Sequence, residues 1–277
     1  MIDQLKMFLY NLFPKKMKKK LGKSKILTPI RNSFFRKNGY YKEVLVNIKS
    51  AYLNYFVEFK FYASIQVANK AKNYRIENTL LNNSINLLQS NENDKIVFDV
   101  GTNFGFLSLV WANSICENGK VYSFEPHPLL YRSYSKSVKT NLLDDNITRE
   151  NVAVGNELGT IEINLLSTTS NTLDVESNSD KNKKEEVNII TLDHYIDKHA
   201  ITKCNLVKID VDGIEYDILK GSQELIKKLQ PIFIIETNND HRIIDFFKKQ
   251  DYSILNMELK PISEGELPVN VFCLPKK

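Results

Sequence analysis

The sequence predicts an α/β domain in which helices cover both faces of a mostly parallel sheet of seven strands. From about residue 95 onward, short runs of β-branched and aromatic residues alternate with stretches whose apolar residues recur at helical spacing. This alternation is typical of a parallel sheet. Several of the short runs end in an acidic residue. Because ligands bind at the carboxyl ends of the strands in open α/β sheets, the pattern also predicts a binding crevice there.

The strands are short apolar runs bounded by polar or turn residues. We predict them at Ile96–Val100, Lys120–Phe124, Ile147–Val154, Leu206–Val211, Pro231–Glu236, Ser253–Leu255 and Val269–Leu274. The stretches between them carry apolar stripes such as Leu130, Tyr134 and Val138, which we expect to form core. A polar stretch over residues 167–186 lacks periodicity and is predicted to be a long exposed loop before a strand-like run at 187–190.

The chain of 277 residues divides into a basic, mostly helical N-terminal extension at residues 1–74 and the α/β domain at residues 75–277. A helix predicted at Arg75–Leu88 opens the domain. The formal net charge is +5, yet residues 1–42 alone carry twelve Lys or Arg against the single acid Asp3. The basicity therefore belongs to the extension and says little about a site in the domain.

The cysteines and the apolar runs exclude several classes of protein. Cys116, Cys204 and Cys273 are far apart and form no CxxC pair, which argues against a zinc knuckle or a disulfide framework. No apolar run approaches the roughly 18 residues of a membrane span, and the N-terminal basic cluster follows the apolar residues instead of preceding them, unlike a signal peptide. We therefore expect a cytoplasmic protein, with peripheral membrane contact through its N-terminus as a further option.

The segment IVFDVGTNFG, residues 96–105, combines a strand, a tight turn and the start of a helix. Gly101 and Gly105 permit close approach of the backbone to a ligand, and Asn103 accepts left-handed backbone angles. A dinucleotide presents a pyrophosphate to a GxGxxG turn, whereas this turn is DxGxxxG with Asp99 at the strand end, where a carboxylate repels phosphate. The ammonium and sulfonium of S-adenosylmethionine favour a nearby carboxylate. The alternative is that Asp99 only caps the turn.

A second acid closes the next strand. In the segment VYSFEPHP, Glu125 lies twenty residues beyond Gly105. An acid at that spacing can accept hydrogen bonds from both ribose hydroxyls of an adenosine. We therefore predict cofactor binding by Asp99, Gly101, Asn103, Gly105 and Glu125. The alternative for Glu125 is a surface acid before a proline turn.

Five segments together resemble the FkbM family of S-adenosylmethionine-dependent methyltransferases: FDVGTNFGF, VYSFEPHP, VAVGNELG, LVKIDVDGIEYDILKGS and PIFIIET. The similarity runs from about Arg75 to about Thr237, and the KIDVDGIE block is its most specific part. The resemblance implies a class I methyltransferase (Rossmann-like) fold for residues 75–277, S-adenosyl-L-methionine as cofactor, and O-methylation of a sugar, glycan or other secondary metabolite. The family more usually has Glu at the position of Asp212, so a catalytic role for Asp212 is not carried over.

Asp210, Glu236 and His241 are the candidate catalytic residues, because each follows a strand at the predicted ligand edge. Methyl transfer is an in-line displacement on a carbon activated by a sulfonium, so the protein aligns the reactants and helps to remove the acceptor's proton. His241 could instead be an exposed residue at the start of a helix. The acids could alternatively bind Mg²⁺, although we expect no metal.

Asp212 and Glu215 also have a purely structural explanation. Their spacing reproduces the N-cap and N3 positions of a capping box ahead of the helix that contains Ile218 and Leu219. Capping accounts for both acids without catalysis, and it competes with a functional role for the pair.

Other functions remain alternatives to a small-molecule or glycan methyltransferase. The DxGxxxG turn disfavours a nucleotide-dependent oxidoreductase. A methyltransferase-like binding domain without activity and a nucleic-acid methyltransferase that uses the basic N-terminal arm are the other two. The chain has no Asn-Pro-Pro-aromatic or Asp-Pro-Pro-aromatic tetrapeptide of the kind found in amino-directed base methyltransferases, which argues against nucleic acid as the partner.

The N-terminus combines apolar residues at positions 1–13 with a lysine cluster at positions 15–20. An apolar helix beside lysines can lie on an anionic membrane, where each lysine contributes about 1 kcal/mol, and phosphate binding or a solvated tail are the alternatives. We expect deletion of residues 1–25 to leave the fold and the cofactor affinity intact while reducing co-sedimentation with anionic vesicles. Equal co-sedimentation of the full-length and truncated proteins would show that the tail is only a solvated appendage.

Overall fold

The computed structural model describes residues 41–165 and 184–276. Residues 1–40, with the membrane and nucleic-acid expectations attached to them, lie outside the described residues, as does most of the predicted polar loop at 167–186. Within the two described ranges, no helix is both long enough and apolar enough to cross a bilayer.

The described chain opens with β1 (Tyr41–Lys49) and β2 (Phe56–Ser64), which form a two-stranded sheet, followed by α1 (Ile65–Lys72) and α2 (Asn78–Leu88). The prediction of a mostly helical extension is therefore wrong for residues 41–64. Every second residue of β2 is apolar and buried, which is the period of a strand: Val57, Phe59, Phe61 and Ala63. The helix predicted at Arg75–Leu88 is confirmed from Asn78 onward.

The centre of the domain is a sheet of seven strands. They are β3 (Ile96–Val100), β4 (Lys120–Phe124), β5 (Ile147–Glu150), β9 (Leu206–Ile209), β10 (Ile232–Glu236), β11 (Tyr252–Leu255) and β12 (Asn270–Pro275), in the spatial order β11-β12-β10-β9-β3-β4-β5. The pairs that join β5, β4, β3, β9 and β10 are parallel, and β12 runs antiparallel to β10 and β11. The seven-stranded, mostly parallel sheet predicted from the sequence is confirmed.

Helices connect and cover these strands. They are α3 (Phe106–Ala112), α4 (Pro128–Thr140), α5 (Leu192–Lys198), α6 (Glu215–Lys220), α7 (Gln223–Leu229) and α8 (His241–Lys249). All four residues of β9 are buried. Because successive side chains point to opposite faces of a sheet, this central strand is covered on both sides. The predicted core stripe of Leu130, Tyr134 and Val138 is also buried.

A smaller sheet stands beside the large one. It consists of β6 (Ala153–Val154), β7 (Gly159–Asn164) and β8 (Lys184–Ile190) in the order β6-β8-β7. The single strand predicted at residues 147–154 is therefore wrong. Asn151 interrupts it by donating from its amide to the carbonyls of Glu125 and Pro126, at 2.8 and 2.9 Å. Residues 184–186, expected in the loop, belong to β8.

The order of the strands creates a crevice at the carboxyl edge between β3 and β9. From β3 the chain builds outward to β4 and β5, and it later returns to the other side of β3 through β9 and β10. Such a reversal of strand order is where open α/β sheets bind ligands. The backbone of Asp210 donates to the carbonyl of Val100 at 3.2 Å, so the two loops that leave these strands begin in contact.

Candidate active site

The turn between β3 and α3 is fitted closely against the ends of its neighbours. Gly101, Asn103 and Gly105 have φ values of 78°, 57° and 80°, all in the left-handed region that glycine and asparagine tolerate. A Cβ at Gly101 would collide with the backbone carbonyl of Asp210, and a Cβ at Gly105 would collide with the ring of Tyr134. The two glycines are therefore required both by backbone angle and by space.

Asp99 lies beneath this turn, and its side chain is only 1% exposed. Its Oδ2 atom accepts a hydrogen bond from Ser108 Oγ at 2.5 Å, and the chain of hydroxyls continues through Ser123 to Tyr134 at 3.0 and 2.8 Å. Its Oδ1 atom is buried without a hydrogen-bond partner in the described part of the chain. Burial raises the pKa of Asp99, against the opposing effects of Lys208 and Ser108. The carboxylate thus supports the turn from below.

Lys208 is a functional candidate that the sequence analysis missed. It lies on β9 directly across from Asp99 on β3, and its side chain is 5% exposed. Its ammonium donates to the carbonyl of Gly101 at 3.1 Å and lies 3.4 Å from Asp210 Oδ2 and 3.6 Å from Asp99 Oδ1. Burial lowers the pKa of Lys208, but the negative charges of Asp210, Asp99 and Glu77 outweigh it and leave the pKa raised.

Glu125 reaches from the end of β4 to the same turn. Its Oε2 atom accepts from the backbone N–H of Asn103 at 2.7 Å, and its Oε1 atom accepts from that of His127 at 2.9 Å. Burial raises the pKa of Glu125 to about 7, although both backbone hydrogen bonds oppose the shift. Each carboxylate oxygen has a second lone pair and can accept one more hydrogen bond. Glu125 can therefore hold the turn and a ligand hydroxyl together.

Asp210 and Glu236 form a hydrogen-bonded pair of carboxyl groups on the other side of the crevice. The charge of Lys208 lowers the pKa of Asp210. Burial and the hydrogen bond with Asp210 raise the pKa of Glu236 to about 7. Two adjacent carboxylates resist joint ionisation, so the pair shares one proton at neutral pH and below.

His241 is placed differently from the other two candidate catalytic residues. It is the exposed first residue of α8, directly after the N-cap Asp240. The described partners of Asp210 and Glu236 do not include it. The structure therefore brings together two of the three predicted residues, and the role of His241 remains a prediction.

The capping box expected at Asp212 and Glu215 is wrong. The N-cap of α6 is Ile214, and Asp212 has a left-handed φ of 61°, so the turn runs two residues further before the helix begins. Glu215 instead accepts from the backbone N–H groups of Val211 and Gly213 at 3.2 and 3.1 Å and from the Asn238 amide at 2.8 Å. Glu215 therefore braces the loop after β9 against the loop after β10.

Negative charge exceeds positive charge at this edge of the sheet. Glu77, the N-cap of α2, joins the group: desolvation raises its pKa, and its charge interacts with Lys208, Asp210 and Asp99. Around Lys208 the described chain thus carries carboxyl groups from Glu77, Asp99, Glu125, Asp210 and Glu236. Among residues 41–165 and 184–276, no group of three or more His, Cys, Asp or Glu is arranged to hold a metal ion.

Solved structures with a similar course of the chain are methyltransferases. The methyltransferase FkbM from Methylobacillus flagellatus KT is 16% identical, with a TM-score of 0.47, over 67% of this chain and 45% of that chain. The precorrin-6y C5,15-methyltransferase from Geobacter metallireducens GS-15 is 12% identical, with a TM-score of 0.42, over 73% and 90%. An S-adenosylmethionine-dependent O-methyltransferase from Thermotoga maritima is 11% identical, with a TM-score of 0.44, over 83% and 78%.

Sequence comparison is more specific. No curated protein sequence matches the chain, but the profile of the methyltransferase FkbM domain matches residues 99–254. That range contains the turn after β3, Glu125, Lys208 and the Asp210–Glu236 pair. Because the match covers more than half of the sequence, the chain belongs to the FkbM family and is a methyltransferase.

Proposed function

We propose that the protein transfers a methyl group from S-adenosylmethionine to a hydroxyl oxygen of a sugar, glycan or other secondary metabolite. The observation that carries the proposal is the arrangement at the β3–β9 crevice. A glycine turn held by Glu125 lies on one side, and the Asp210–Glu236 pair lies on the other. One side suits the adenosine of a cofactor, and the other suits the hydroxyl of an acceptor.

The residues on the cofactor side fit S-adenosylmethionine. Glu125 has acceptor capacity left for the ribose hydroxyls. Gly101 leaves backbone accessible without a Cβ, and Asp99 supplies negative charge beneath the turn, with one oxygen free of hydrogen bonds within the described chain. When bound, the cofactor supplies an electrophilic methyl group on a sulfonium. The excess of carboxylates favours that cation and its ammonium over a phosphate-bearing ligand.

The acceptor side is suited to deprotonating or orienting a neutral hydroxyl. A carboxyl group that titrates near neutral pH is an efficient general base, and burial raises the pKa of Glu236 to about 7. Asp210 stays ionised beside Lys208 and can accept a hydrogen bond from the same hydroxyl. An anionic acceptor would meet like charges from Asp210, Asp212 and Glu236. We therefore infer that the acceptor is an uncharged polyol, such as a sugar, in preference to a phosphate or carboxylate.

The direct test is methyl transfer from methyl-labelled S-adenosylmethionine to a panel of acceptors. The panel pairs neutral sugars and glycosides with their phosphorylated and carboxylated forms and includes RNA and single-stranded DNA. We expect label in neutral acceptors, as methyl ethers that survive mild alkali. Label confined to RNA or DNA, or released by alkali as from a methyl ester, would contradict the proposal. Product release with no transfer to any acceptor would favour the binding-domain alternative.

The affinity for S-adenosylhomocysteine should depend on pH through Glu125. Its pKa of about 7 in the free protein means that the carboxylate form, which accepts from the ribose hydroxyls, is lost as the pH falls through that value. We expect calorimetry to show weaker binding at pH 6 than at pH 8. The Glu125→Gln variant should bind more weakly at both values and lose most of the difference between them. An identical pH dependence in the variant would remove Glu125 as its cause.

A further inference from the structure

Lys208 is a buried cation at the point where the cofactor turn and the acceptor pair meet. Its ammonium contacts the carbonyl of Gly101 at 3.1 Å, Asp210 at 3.4 Å and Asp99 at 3.6 Å. Burying an ammonium is costly unless it is paired and hydrogen-bonded. Lys208 therefore depends on these three groups, and each of them loses a buried partner when the charge is removed.

We propose, as a deepening of the proposed function, that Lys208 is a positioning residue with two effects on the site. It holds the carbonyl of Gly101, which fixes the shape of the cofactor turn. It also keeps Asp210 ionised, so that the proton shared by the carboxyl pair lies on Glu236.

The first effect follows from the hydrogen bonds of Gly101. The backbone N–H of this residue donates to the carbonyl of Phe124 at 3.0 Å, and its own carbonyl accepts from Lys208 at 3.1 Å. Both backbone groups on either side of its left-handed φ are therefore held. Without Lys208 the carbonyl loses this buried donor, and the polar group must turn toward water or another partner. The turn that receives the cofactor would then change shape.

The second effect follows from the position of the charge. Lys208 faces Asp210, Asp99 and Glu77, from the end of β9, from β3 and from the start of α2. Glu236 instead faces the negative groups Asp210, Asp212 and Glu215, while the Asn238 amide lies 3.4 Å from its Oε2 atom. Asp210 thus has the cation, and Glu236 has the anions. Since two neighbouring carboxyl groups share one proton, this asymmetry directs the proton to Glu236.

The Lys208→Met variant removes the charge and keeps an apolar side chain of similar length. Side-chain carboxyl ¹³C NMR of the ligand-free, full-length protein would follow Asp210 and Glu236, with Asp210→Asn and Glu236→Gln assigning the two signals. In the wild type we expect Asp210 to stay ionised while Glu236 titrates near pH 7. In Lys208→Met we expect Asp210 to join the titration and its midpoint to rise by about one pH unit or more. The affinity for S-adenosylhomocysteine should fall at least about tenfold.

Two further variants separate the effects and control for folding. Lys208→Gln is neutral but keeps a donor for Gly101, so it should shift the titration while losing less affinity, and it serves if Lys208→Met does not fold. Lys203→Met is the matched control: this exposed lysine precedes β9 at the opposite edge, pairs with Asp94 and should change neither readout.

An unchanged titration and an unchanged affinity in both Lys208 variants would overturn the inference. The titration is measured without cofactor or acceptor, so it still decides the effect on the proton if the proposed methyl transfer fails. Conversely, a wild-type enzyme that methylates a hydroxyl while Lys208→Met keeps the wild-type titration would leave the proposed function standing and remove this role of Lys208.

Discussion

Glu125→Ala and Asp99→Asn are each expected to weaken the binding of S-adenosylhomocysteine by about ten- to more than a hundredfold, the scale of losing a charge-assisted hydrogen bond. The two variants act differently. Glu125→Ala removes the acceptor for the ribose and the carboxylate that holds Asn103. Asp99→Asn keeps the shape but removes the negative charge beneath the turn, where the carboxylate lies 3.6 Å from Lys208. Calorimetry on the purified variants measures both losses.

A matched control for this prediction lies on the same strand. Asp94 precedes β3 at the opposite edge of the sheet and pairs with Lys95 and Lys203. Asp94→Asn should therefore leave the affinity unchanged. Melting temperatures would separate lost binding from lost structure. Wild-type affinity in both Glu125→Ala and Asp99→Asn would refute the assignment of the cofactor side of the crevice.

Asp210→Asn and Glu236→Gln are expected to lower turnover by about 10²–10⁴-fold, the usual contribution of general acid–base catalysis. In the structure these carboxyl groups are hydrogen-bonded to each other and lie outside the glycine turn and Glu125. The affinity for S-adenosylhomocysteine should therefore change much less than the turnover. Steady-state kinetics with the acceptor found in the panel, together with calorimetry, measures the two effects separately.

Two nearby variants test whether the pair itself is responsible. Asp212→Asn keeps a residue that accepts the left-handed φ of 61° and should cost far less turnover. His241→Ala removes an exposed side chain at the start of α8 and, on the geometry, should also cost less. A loss confined to His241→Ala would instead make the histidine the base. Near-normal turnover in Asp210→Asn, Glu236→Gln and His241→Ala would leave catalysis to alignment alone.

The sequence predicted the central sheet well because its strands carry strong local signals. The bounds of β3 and β4 are the predicted ones, and β9 and β10 differ from prediction by one or two residues at an end. Apolar runs that end in an acid or a turn define these strands without reference to distant residues. The same runs placed Asp99, Glu125, Asp210 and Glu236 at one edge, because parallel strands end together.

The features that the sequence analysis missed depend on contacts between distant residues. Lys208 looked like one polar residue in an apolar strand, and only the pairing of β9 with β3 places it beside Asp99. Glu215 has the spacing of a capping residue, yet its partners include Asn238 on another loop. The strand break at Asn151 likewise arises from side-chain bonds to the end of β4. A lysine inside an otherwise apolar strand that ends in aspartate was the available signal for Lys208.

A crystal structure of the protein with S-adenosylhomocysteine tests the central claim most directly. The account predicts that the ribose hydroxyls lie within hydrogen-bonding distance of Glu125, that the ligand passes over the Gly101–Gly105 turn, and that its sulfur faces the Asp210–Glu236 pair. Density for the ligand at another edge of the sheet, or a bound ligand whose ribose makes no contact with Glu125, would contradict it.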